Sequence, residues 1–176
     1  MSLPEGVLIV GVYGTGKTSV CEELAHLLES AGAAYGAIDL DWLGWYSVPD
    51  RAHEHEWLDP VALSNLETMV RNYVSAGVDH VVLAGSVWSQ RELTALRAAL
   101  PVSLRVVQLT LPLDEIHRRL STAVTAGRAE DLHEAARQTD VVRADPPDAV
   151  VPDALVANDR PIHTVAQEIM DWLGWP

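Results

Sequence analysis

The stretch GVYGTGKT at residues 11–18 constrains the fold of this chain more than any other feature. It directly follows the apolar run VLIV, which has the length of a short buried strand. Apolar residues then recur at helical spacing between residues 18 and 30, and Gly32 lies just beyond them. The glycines of the stretch let the backbone turn tightly between the two elements. This order of strand, glycine-rich turn and helix predicts an α/β fold.

The turn has the spacing of a Walker A motif, since four residues separate Gly11 from Gly16, Lys17 and Thr18. Backbone N–H groups of such a loop wrap phosphate oxygens, and the helix dipole that follows attracts them. The Lys17 ammonium reaches the β and γ oxygens, and the Thr18 hydroxyl ligates Mg²⁺. We therefore predict ATP and Mg²⁺ as cofactors, Lys17 as a catalytic residue and Thr18 as the metal ligand. The predicted nucleotide contacts are Gly11, Gly14, Thr15, Gly16, Lys17, Thr18 and Ser19. The alternative is a turn that merely joins a strand to a helix.

Further along the chain, apolar runs of strand length alternate with longer helical patterns. Runs that are apolar throughout indicate strands of a parallel sheet with helices on both faces. The expected fold is therefore α/β, with three layers around a five-stranded parallel sheet. The predicted strands are residues 7–10, 35–40, 78–84, 104–109 and 154–157. The predicted helices are residues 18–30, 59–76, 90–100, one that opens at Pro112, and 161–173.

Composition narrows the class of protein. The 176 residues fit one domain, 1–176, with 25 acidic and 12 basic side chains and a net charge of −13. Nucleic-acid-binding proteins usually carry a basic patch, so no nucleic-acid partner is expected. No apolar run approaches the roughly 18 residues of a membrane span, and no secretion signal is recognisable, so we expect a cytoplasmic protein without a membrane partner. Cys21 is the single cysteine, which excludes an intrachain disulfide and predicts a small core residue.

Two segments interrupt the alternation. Residues 41–58, DWLGWYSVPDRAHEHEWL, hold three of the six tryptophans, and residues 121–150 are polar and rich in Ala, Arg and Asp. Long segments of this kind in a compact domain are often functional loops or lids. The aromatic residues Trp42, Trp45, Tyr46 and Trp57 form either a wall for a flat ligand or a satellite core. His53 and His55 alternate with glutamates, but no second cluster at zinc spacing accompanies them, so a solvated loop is expected.

The order of motifs narrows the class further. A GTPase would need a guanine-reading N-K-x-D string, and ANDR at 157–160 lacks the lysine. The third predicted strand, VVLAGSV, ends without the acid of a motor ATPase. The chain resembles the P-loop small-molecule and nucleoside monophosphate kinases, and most of all the shikimate, gluconate, adenylylsulfate and chloramphenicol kinases. The resemblance implies the strand order 2-3-1-4-5, a lid near residues 121–150, and transfer of the γ-phosphoryl group of Mg-ATP to a small-molecule acceptor.

The resemblance also assigns residues on the acceptor side. The second strand of these kinases ends in an acid that faces the acceptor, which corresponds to Asp39 and Asp41 in AIDLDWL. Positions i and i+2 of a strand face the same side, so both carboxylates are expected in the cleft, with Asp39 as the base. The alternative is an acidic pair exposed to water at the end of the strand, or a cap for the helical segment that follows. In GSVWSQRE, Ser86 and Arg91 are implied as acceptor contacts, and the nearby segment 41–58 adds Trp42.

On the nucleotide side, the resemblance implies that Arg119 stacks on adenine and that Arg128 and Arg137 are lid arginines, with Arg128 catalytic. The loop after the last strand is expected to touch adenine through Asn158 and Arg160. The D-G-x-P-R string of nucleotide kinases is absent, which makes a nucleoside monophosphate kinase a weaker alternative. An ATPase or regulatory module without transfer is a further alternative. The acceptor stays open among metabolites, nucleosides and antibiotics, and the chain is expected to be a monomer or a homodimer.

Overall fold

The computed structural model of the protein describes residues 3–43, 59–122, 128–144 and 146–176. Strands alternate with helices along these ranges, except that two helices lie between the fourth and fifth strands, and a short 3₁₀ turn, Leu40–Trp42, follows the second strand. The strands are β1 Glu5–Val10, β2 Tyr35–Asp39, β3 His80–Ala84, β4 Ser103–Thr110 and β5 Ala154–Ala157. The helices are α1 Lys17–Ser30, α2 Pro60–Ser75, α3 Gln90–Ala99, α4 Leu113–Thr122, α5 Arg128–Arg143 and α6 Ile162–Leu173.

The five strands form one parallel sheet in the order β2-β3-β1-β4-β5. Strand β1 lies at the centre, where Leu8 is opposite Leu83 of β3 and Val106 of β4. Parallel neighbours need crossover connections, and each connection here contains a helix. The predicted α/β fold with strand order 2-3-1-4-5 is thus confirmed. Because β1 is central, the loop that follows it lies at the middle of the carboxyl edge of the sheet, where open α/β sheets bind ligands.

Helices cover both faces of the sheet, which explains why the strand sequences are apolar throughout. Helices α1 and α6 pack with Val7 and Ile9 on one face, whereas α2 and α3 pack with Leu8 and Val106 on the other. Cys21 is buried in the first of these clusters, as predicted. Burial, and next the negative charge of Asp39, raise the pKa of its thiol to about 12.

The main difference from the sequence prediction lies within residues 121–150. Helix α5 occupies sixteen of them and packs beside α4. Its buried side chains include Ala135 and Gln138, one very small and one polar, so its sequence carries no apolar stripe that would indicate a helix. The linking residues 123–127 and residue 145 lie outside the described ranges.

Several predictions for residues 41–58 also lie outside the part of the chain that the structure describes. Residues 44–58 are not described, so the predictions for Trp45, Tyr46, Trp57, His53 and His55 stay predictions. Among the residues that are described, no helix is long and apolar enough to cross a membrane. Over the same ranges, no group of three or more His, Cys, Asp or Glu side chains is placed to hold a metal ion.

Candidate active site

The glycine-rich loop joins β1 to α1 and depends on backbone shapes that other residues rarely adopt. Gly14 and Gly16 have φ of 83° and 90°. A Cβ atom on Gly14 would lie 2.7 Å from Ile116 Cγ2 of α4. A Cβ atom on Gly16 would lie 2.6 Å from Asn158 Nδ2, in the turn after β5. The loop therefore has its shape because two other parts of the fold approach its backbone closely.

Hydrogen bonds within the loop converge on the carbonyl oxygen of Val12. This oxygen accepts from Thr15 N at 3.3 Å, from Thr15 Oγ1 at 2.9 Å and from Lys17 Nζ at 3.4 Å. Lys17 Nζ also donates to Gly11 O at 3.1 Å. The side chains of Thr15 and Lys17 are both buried. The lysine predicted to be catalytic is thus held across the loop by two of the loop's own carbonyl groups.

The environment of Lys17 has opposing effects on its charge. Burial lowers the pKa of the ammonium group, whereas the negative charges of Asp41 and Asp39 raise it. Lys17 begins α1, and Thr18 and Ser19 follow in its first turn, where backbone N–H groups have no partner within the helix. These N–H groups and the ammonium are the donors that a phosphate group needs.

Asp39 connects the loop to the end of β2. Its Oδ2 accepts from Thr18 Oγ1 at 2.7 Å, and its Oδ1 accepts from Asp41 N at 3.0 Å. The second bond caps the 3₁₀ turn, and for this reason β2 ends at Asp39. The prediction that Asp39 and Asp41 are alternate positions of one strand is therefore wrong. Asp41 belongs to the turn that Asp39 caps, although it still lies close enough to interact with Lys17.

The carboxyl group of Asp41 has a raised pKa. Surrounding protein atoms are the main cause, the negative charge of Asp39 adds to the effect, and the Lys17 ammonium opposes it. A carboxyl group whose pKa is moved toward neutrality is better suited to accept a proton than an ordinary aspartate. Asp41 remains exposed to solvent, so a ligand has access to it.

Thr18 and Asp39 fit a magnesium ion. Mg²⁺ prefers hard oxygen ligands and usually keeps several of its waters. The hydroxyl of Thr18 and a carboxylate oxygen of Asp39 lie 2.7 Å apart, next to the residue that begins α1. The donor set thus suits Mg²⁺, and Asp39 joins Thr18 as a residue that could hold it.

The turn after β5 contacts the loop through Asn158. This side chain is 1% exposed, and its Nδ2 donates to Thr15 O at 2.7 Å. Arg119 of α4 donates to Asn158 O at 2.6 Å and to Glu115 Oε1 at 3.0 Å. The resemblance implied adenine contacts for Asn158 and Arg119. In the structure the Asn158 amide supports the glycine-rich loop directly, and Arg119 bonds to the backbone of Asn158.

Two other residues predicted on the nucleotide side, Arg160 and Arg128, have different surroundings. Arg160 pairs with Glu168 of α6 at 2.6 Å and donates to Ala157 O at 3.2 Å, so its guanidinium group is engaged by neighbours of its own segment. Arg128 begins α5, and only its backbone is described.

Helix α5 contacts the loop at a second point, which the sequence did not reveal. Gln138 is 3% exposed, and its Oε1 accepts from Tyr13 N at 2.5 Å. Its Nε2 donates to Glu134 Oε1, and Arg137 pairs with the same carboxylate at 2.6 Å. Arg137, predicted as a lid arginine, is therefore bound to its own helix. The only signal for Gln138 was its place in the polar segment 121–150.

The predicted acceptor contacts lie on separate segments. Ser86 is half-buried just after β3, Arg91 is exposed in the first turn of α3, and Trp42 is 68% exposed in the 3₁₀ turn. Over the described ranges, no hydrogen bond or ion pair joins Ser86 or Arg91 to the two aspartates. The structure thus brings the residues of the loop and the aspartates together, and Trp42 belongs to the same 3₁₀ turn as Asp41.

The turn between β3 and α3 is held by the chain that leaves α5. Ser89 and Glu92 form a capping box at the start of α3. The backbone of the turn bonds to residues 148–150, through Gln90 N to Asp148 O at 2.8 Å and Val150 N to Trp88 O at 3.3 Å. A cavity of about 90 Å³ lies between this turn and α5, lined by Trp88, Arg137, Gln138 and Val141.

No protein-family model and no curated protein sequence matches the chain. Solved structures do match it along almost its whole length. A sugar kinase from a Janibacter species has a TM-score of 0.68 at 19% identity, covering 97% of this chain and 95% of that chain. A gluconokinase from Sinorhizobium meliloti has a TM-score of 0.63 at 20% identity, covering 99% and 94%. The Mycobacterium tuberculosis APS kinase, in complex with AMPPNP and APS, has a TM-score of 0.62 at 21% identity, covering 99% of both chains.

These neighbours are P-loop small-molecule kinases, the group that the sequence resembles. They share with this chain the parallel sheet in the order 2-3-1-4-5 and the helices on both of its faces. At this level of identity the likeness is one of fold. The chain therefore has the fold of the P-loop small-molecule kinases.

Proposed function

We propose that the protein is an ATP-dependent phosphotransferase that moves the γ-phosphoryl group of Mg-ATP to a hydroxyl of a small metabolite, nucleoside or antibiotic. The observation that carries this proposal is the contact of Thr18 with Asp39 and of Asp39 with Asp41, beside Lys17. Two carboxyl groups beside the loop lysine suit a site that both holds a metal ion and accepts a proton. The kinase neighbours, one of them with AMPPNP bound, support the same class of reaction.

The two aspartates have different surroundings, so we assign them different roles. Both oxygens of Asp39 already accept hydrogen bonds, one from Thr18 and one from the backbone of Asp41. Asp39 is therefore suited to position Thr18 and the metal. Asp41 has the raised pKa and is exposed, which suits a general base. This assignment reverses the expectation from the sequence, which favoured Asp39 as the base.

The reaction is an in-line displacement. Asp41 takes the proton of the acceptor hydroxyl as the hydroxyl oxygen bonds to the γ-phosphorus, and the bond from that phosphorus to the β–γ bridging oxygen breaks. Lys17 balances the negative charge on the moving group. Mg²⁺, when bound, neutralises charge on the β and γ oxygens, and Thr18 and Asp39 would hold it. The phosphates themselves favour the charged form of Lys17, which opposes the effect of its burial.

A panel of sugars, nucleosides, shikimate-like acids and antibiotics, assayed for ADP release with Mg-ATP, tests the proposal. We expect at least one acceptor to raise ADP release above the rate of ATP hydrolysis alone, with a phosphorylated product visible by mass spectrometry. Lys17→Met should lower kcat by about 10²–10³-fold, the effect of losing one preorganised donor. The exposed Arg71→Met on α2 is the matched control. A failure of every acceptor would contradict the proposal and favour an ATPase or regulatory module.

The roles of the aspartates have a separate test in the pH dependence of kcat/KM. Asp41 must lose its proton to act, so kcat/KM should rise with pH through an inflection above the ordinary aspartate value of 3.8. Asp39→Asn removes a neighbouring negative charge, so the inflection should move to lower pH. Asp41→Asn should abolish most turnover while ATP still binds. High turnover in Asp41→Asn, with loss in Asp39→Asn, would return the base role to Asp39.

A further inference from the structure

Gln138 is the buried residue through which α5 bonds to the phosphate-binding loop. It is 125 residues from Tyr13 in the sequence, yet its Oε1 lies 2.5 Å from Tyr13 N. Its Nε2 is used as well, in a bond to Glu134 of the same helix. Burying an amide is costly unless its polar atoms are bonded, and here both are. The bond to Tyr13 is therefore specific in its geometry.

The peptide group that Gln138 contacts also holds the catalytic lysine. The Val12 carbonyl and the Tyr13 N–H belong to one planar trans peptide, so they point in opposite directions. Gln138 accepts from the N–H, while the carbonyl accepts from Lys17 Nζ and from both polar atoms of Thr15. A rotation of this peptide would break the bonds on both of its sides. Gln138, together with Thr15, thus fixes the orientation of one of the two carbonyls that hold Lys17, the other being that of Gly11.

We propose that Gln138 is a positioning residue for phosphoryl transfer, acting on Lys17 through the Val12–Tyr13 peptide. This role rests on the proposed function, because Lys17 is the group whose place it sets. A displacement of about 1 Å in a catalytic group is sufficient to lower a rate by about a hundredfold. The proposal also assigns a role to α5, because Gln138 of this helix bonds to the loop.

A cavity beside Gln138 reaches the β3–α3 turn, which contains the predicted acceptor residue Ser86 and is followed by Arg91 of α3. The cavity of about 90 Å³ has Gln138 and Val141 of α5 on one side and Trp88 of the β3–α3 turn on the other. The Trp88 carbonyl accepts from Val150, in the chain that leaves α5. A group that enters this cavity would therefore touch the residue that holds the loop.

The direct test measures the Tyr13 amide itself. In Gln138→Leu, which keeps the size of the side chain but loses its acceptor, hydrogen exchange at Tyr13 should accelerate at least tenfold. The double variant Gln138→Glu/Glu134→Gln exchanges the two side chains. Position 138 then again has an acceptor for Tyr13 N, and the amide at position 134 donates to the carboxylate at position 138. The double variant should therefore restore the protection of Tyr13. Gln167→Leu removes an exposed glutamine of α6 and serves as the control.

The kinetic test separates positioning from a merely structural role. Gln138→Leu should lower kcat ten- to a hundredfold and leave the KM of the acceptor within about threefold, because Lys17 acts on the moving group. The double variant should recover most of kcat, and Gln167→Leu should match the native enzyme.

Unchanged exchange at Tyr13 in Gln138→Leu would overturn the proposal, whatever the activity. A loss of kcat that the double variant does not recover, with Tyr13 protected in it, would also overturn it. If the native chain transfers phosphate to no acceptor, the proposed function fails on its own. In that case the positioning role is tested by the Mg-ATP affinity, measured by calorimetry. The role requires that Gln138→Leu binds Mg-ATP more weakly than the native chain and that the double variant recovers the native affinity.

Discussion

Two buried amides hold the glycine-rich loop between β1 and α1, and they belong to very different parts of the molecule. Asn158 lies in the turn after β5 and bonds to Thr15 O, whereas Gln138 lies on α5 and bonds to Tyr13 N. One donates to the loop and the other accepts from it. Gly14 lies between Tyr13 and Thr15, so a hydrogen bond holds the backbone on each side of it.

The two amides differ in what fixes them. The backbone of Asn158 donates to Thr110 O of β4 at 2.9 Å and accepts from Arg119 at 2.6 Å, so the residue is tied to the sheet and to α4. Gln138 depends on α5, where its partner Glu134 belongs to the same helix. The Asn158 contact is therefore anchored to both the sheet and α4, whereas the Gln138 contact depends on the position of α5.

The largest expected effect comes from the residue between the two contacts. Gly14→Ala adds a methyl group 2.7 Å from Ile116 at a backbone φ of 83°. We expect a loss of about 3 kcal/mol in the free energy of unfolding, because overpacking adds to the cost of a left-handed conformation. Gly32→Ala has a similar φ of 70° and nothing within 4 Å, so it isolates the conformational part, about 1 kcal/mol. Equal losses of unfolding free energy in the two variants, measured by urea denaturation, would show that the structure around Gly14 shifts to accommodate the methyl group.

Removing the contact of Asn158 with the loop should have the next largest effect. Asn158→Ala leaves the buried Thr15 carbonyl without its donor, so we expect a loss of about 2 kcal/mol in unfolding free energy. ATP affinity, measured by calorimetry, should fall about tenfold, since the loop is less well ordered. Asn72→Ala, exposed on α2, is the control. An Asn158 variant that behaves like this control would mean that the contact is as dispensable as a surface amide.

A smaller effect is expected from the residue that fixes Asn158. Arg119→Met removes a bond to Asn158 O from a partly exposed side chain, which should lower unfolding free energy by about 1 kcal/mol. ATP affinity should fall only a few fold. Arg118→Met removes a neighbouring partner of the same Glu115 and provides the comparison. Equal effects of the two substitutions on thermal unfolding would argue that Arg119 acts on Glu115 and not on Asn158.

The smallest effect is expected two residues beyond Asn158. Arg160 forms a surface ion pair with Glu168, and such pairs contribute about 0–1 kcal/mol. Arg160→Ala should therefore change unfolding free energy by less than about 0.5 kcal/mol and leave ATP affinity unchanged. Glu168→Ala should give the same result. A tenfold loss of ATP affinity in Arg160→Ala alone would support the adenine contact that the resemblance implied.

The sheet and the loop could be predicted because their physical causes are local. Continuous apolar runs mark buried parallel strands, and β5 has the bounds that its four residues predicted. The spacing from Gly11 to Thr18 marks the loop. Helix α5 could not be predicted in this way, since its contact with the loop uses Gln138 and its burial uses Ala135, which is a weak apolar signal.

The error at Asp41 has a different cause. The alternation of side chains along a strand predicted that Asp41 faces the same side as Asp39. In the structure the Asp39 side chain caps a turn instead, and the strand therefore ends before Asp41. The role of Asn158 was also hidden, because its partner Thr15 is 143 residues away. Such contacts depend on the assembled fold, and no spacing within one segment indicates them.

The state of the single cysteine has a practical consequence. Alkylating reagents attack thiolates, and Cys21 is buried with a pKa of about 12. The native chain should therefore react slowly with maleimides at neutral pH. A thiol introduced elsewhere can then be labelled with little reaction at Cys21. A thiol introduced by Val142→Cys on the exposed side of α5 would carry a fluorophore or spin label, and Cys21 would not need to be replaced. The signal of the label would follow the helix during turnover.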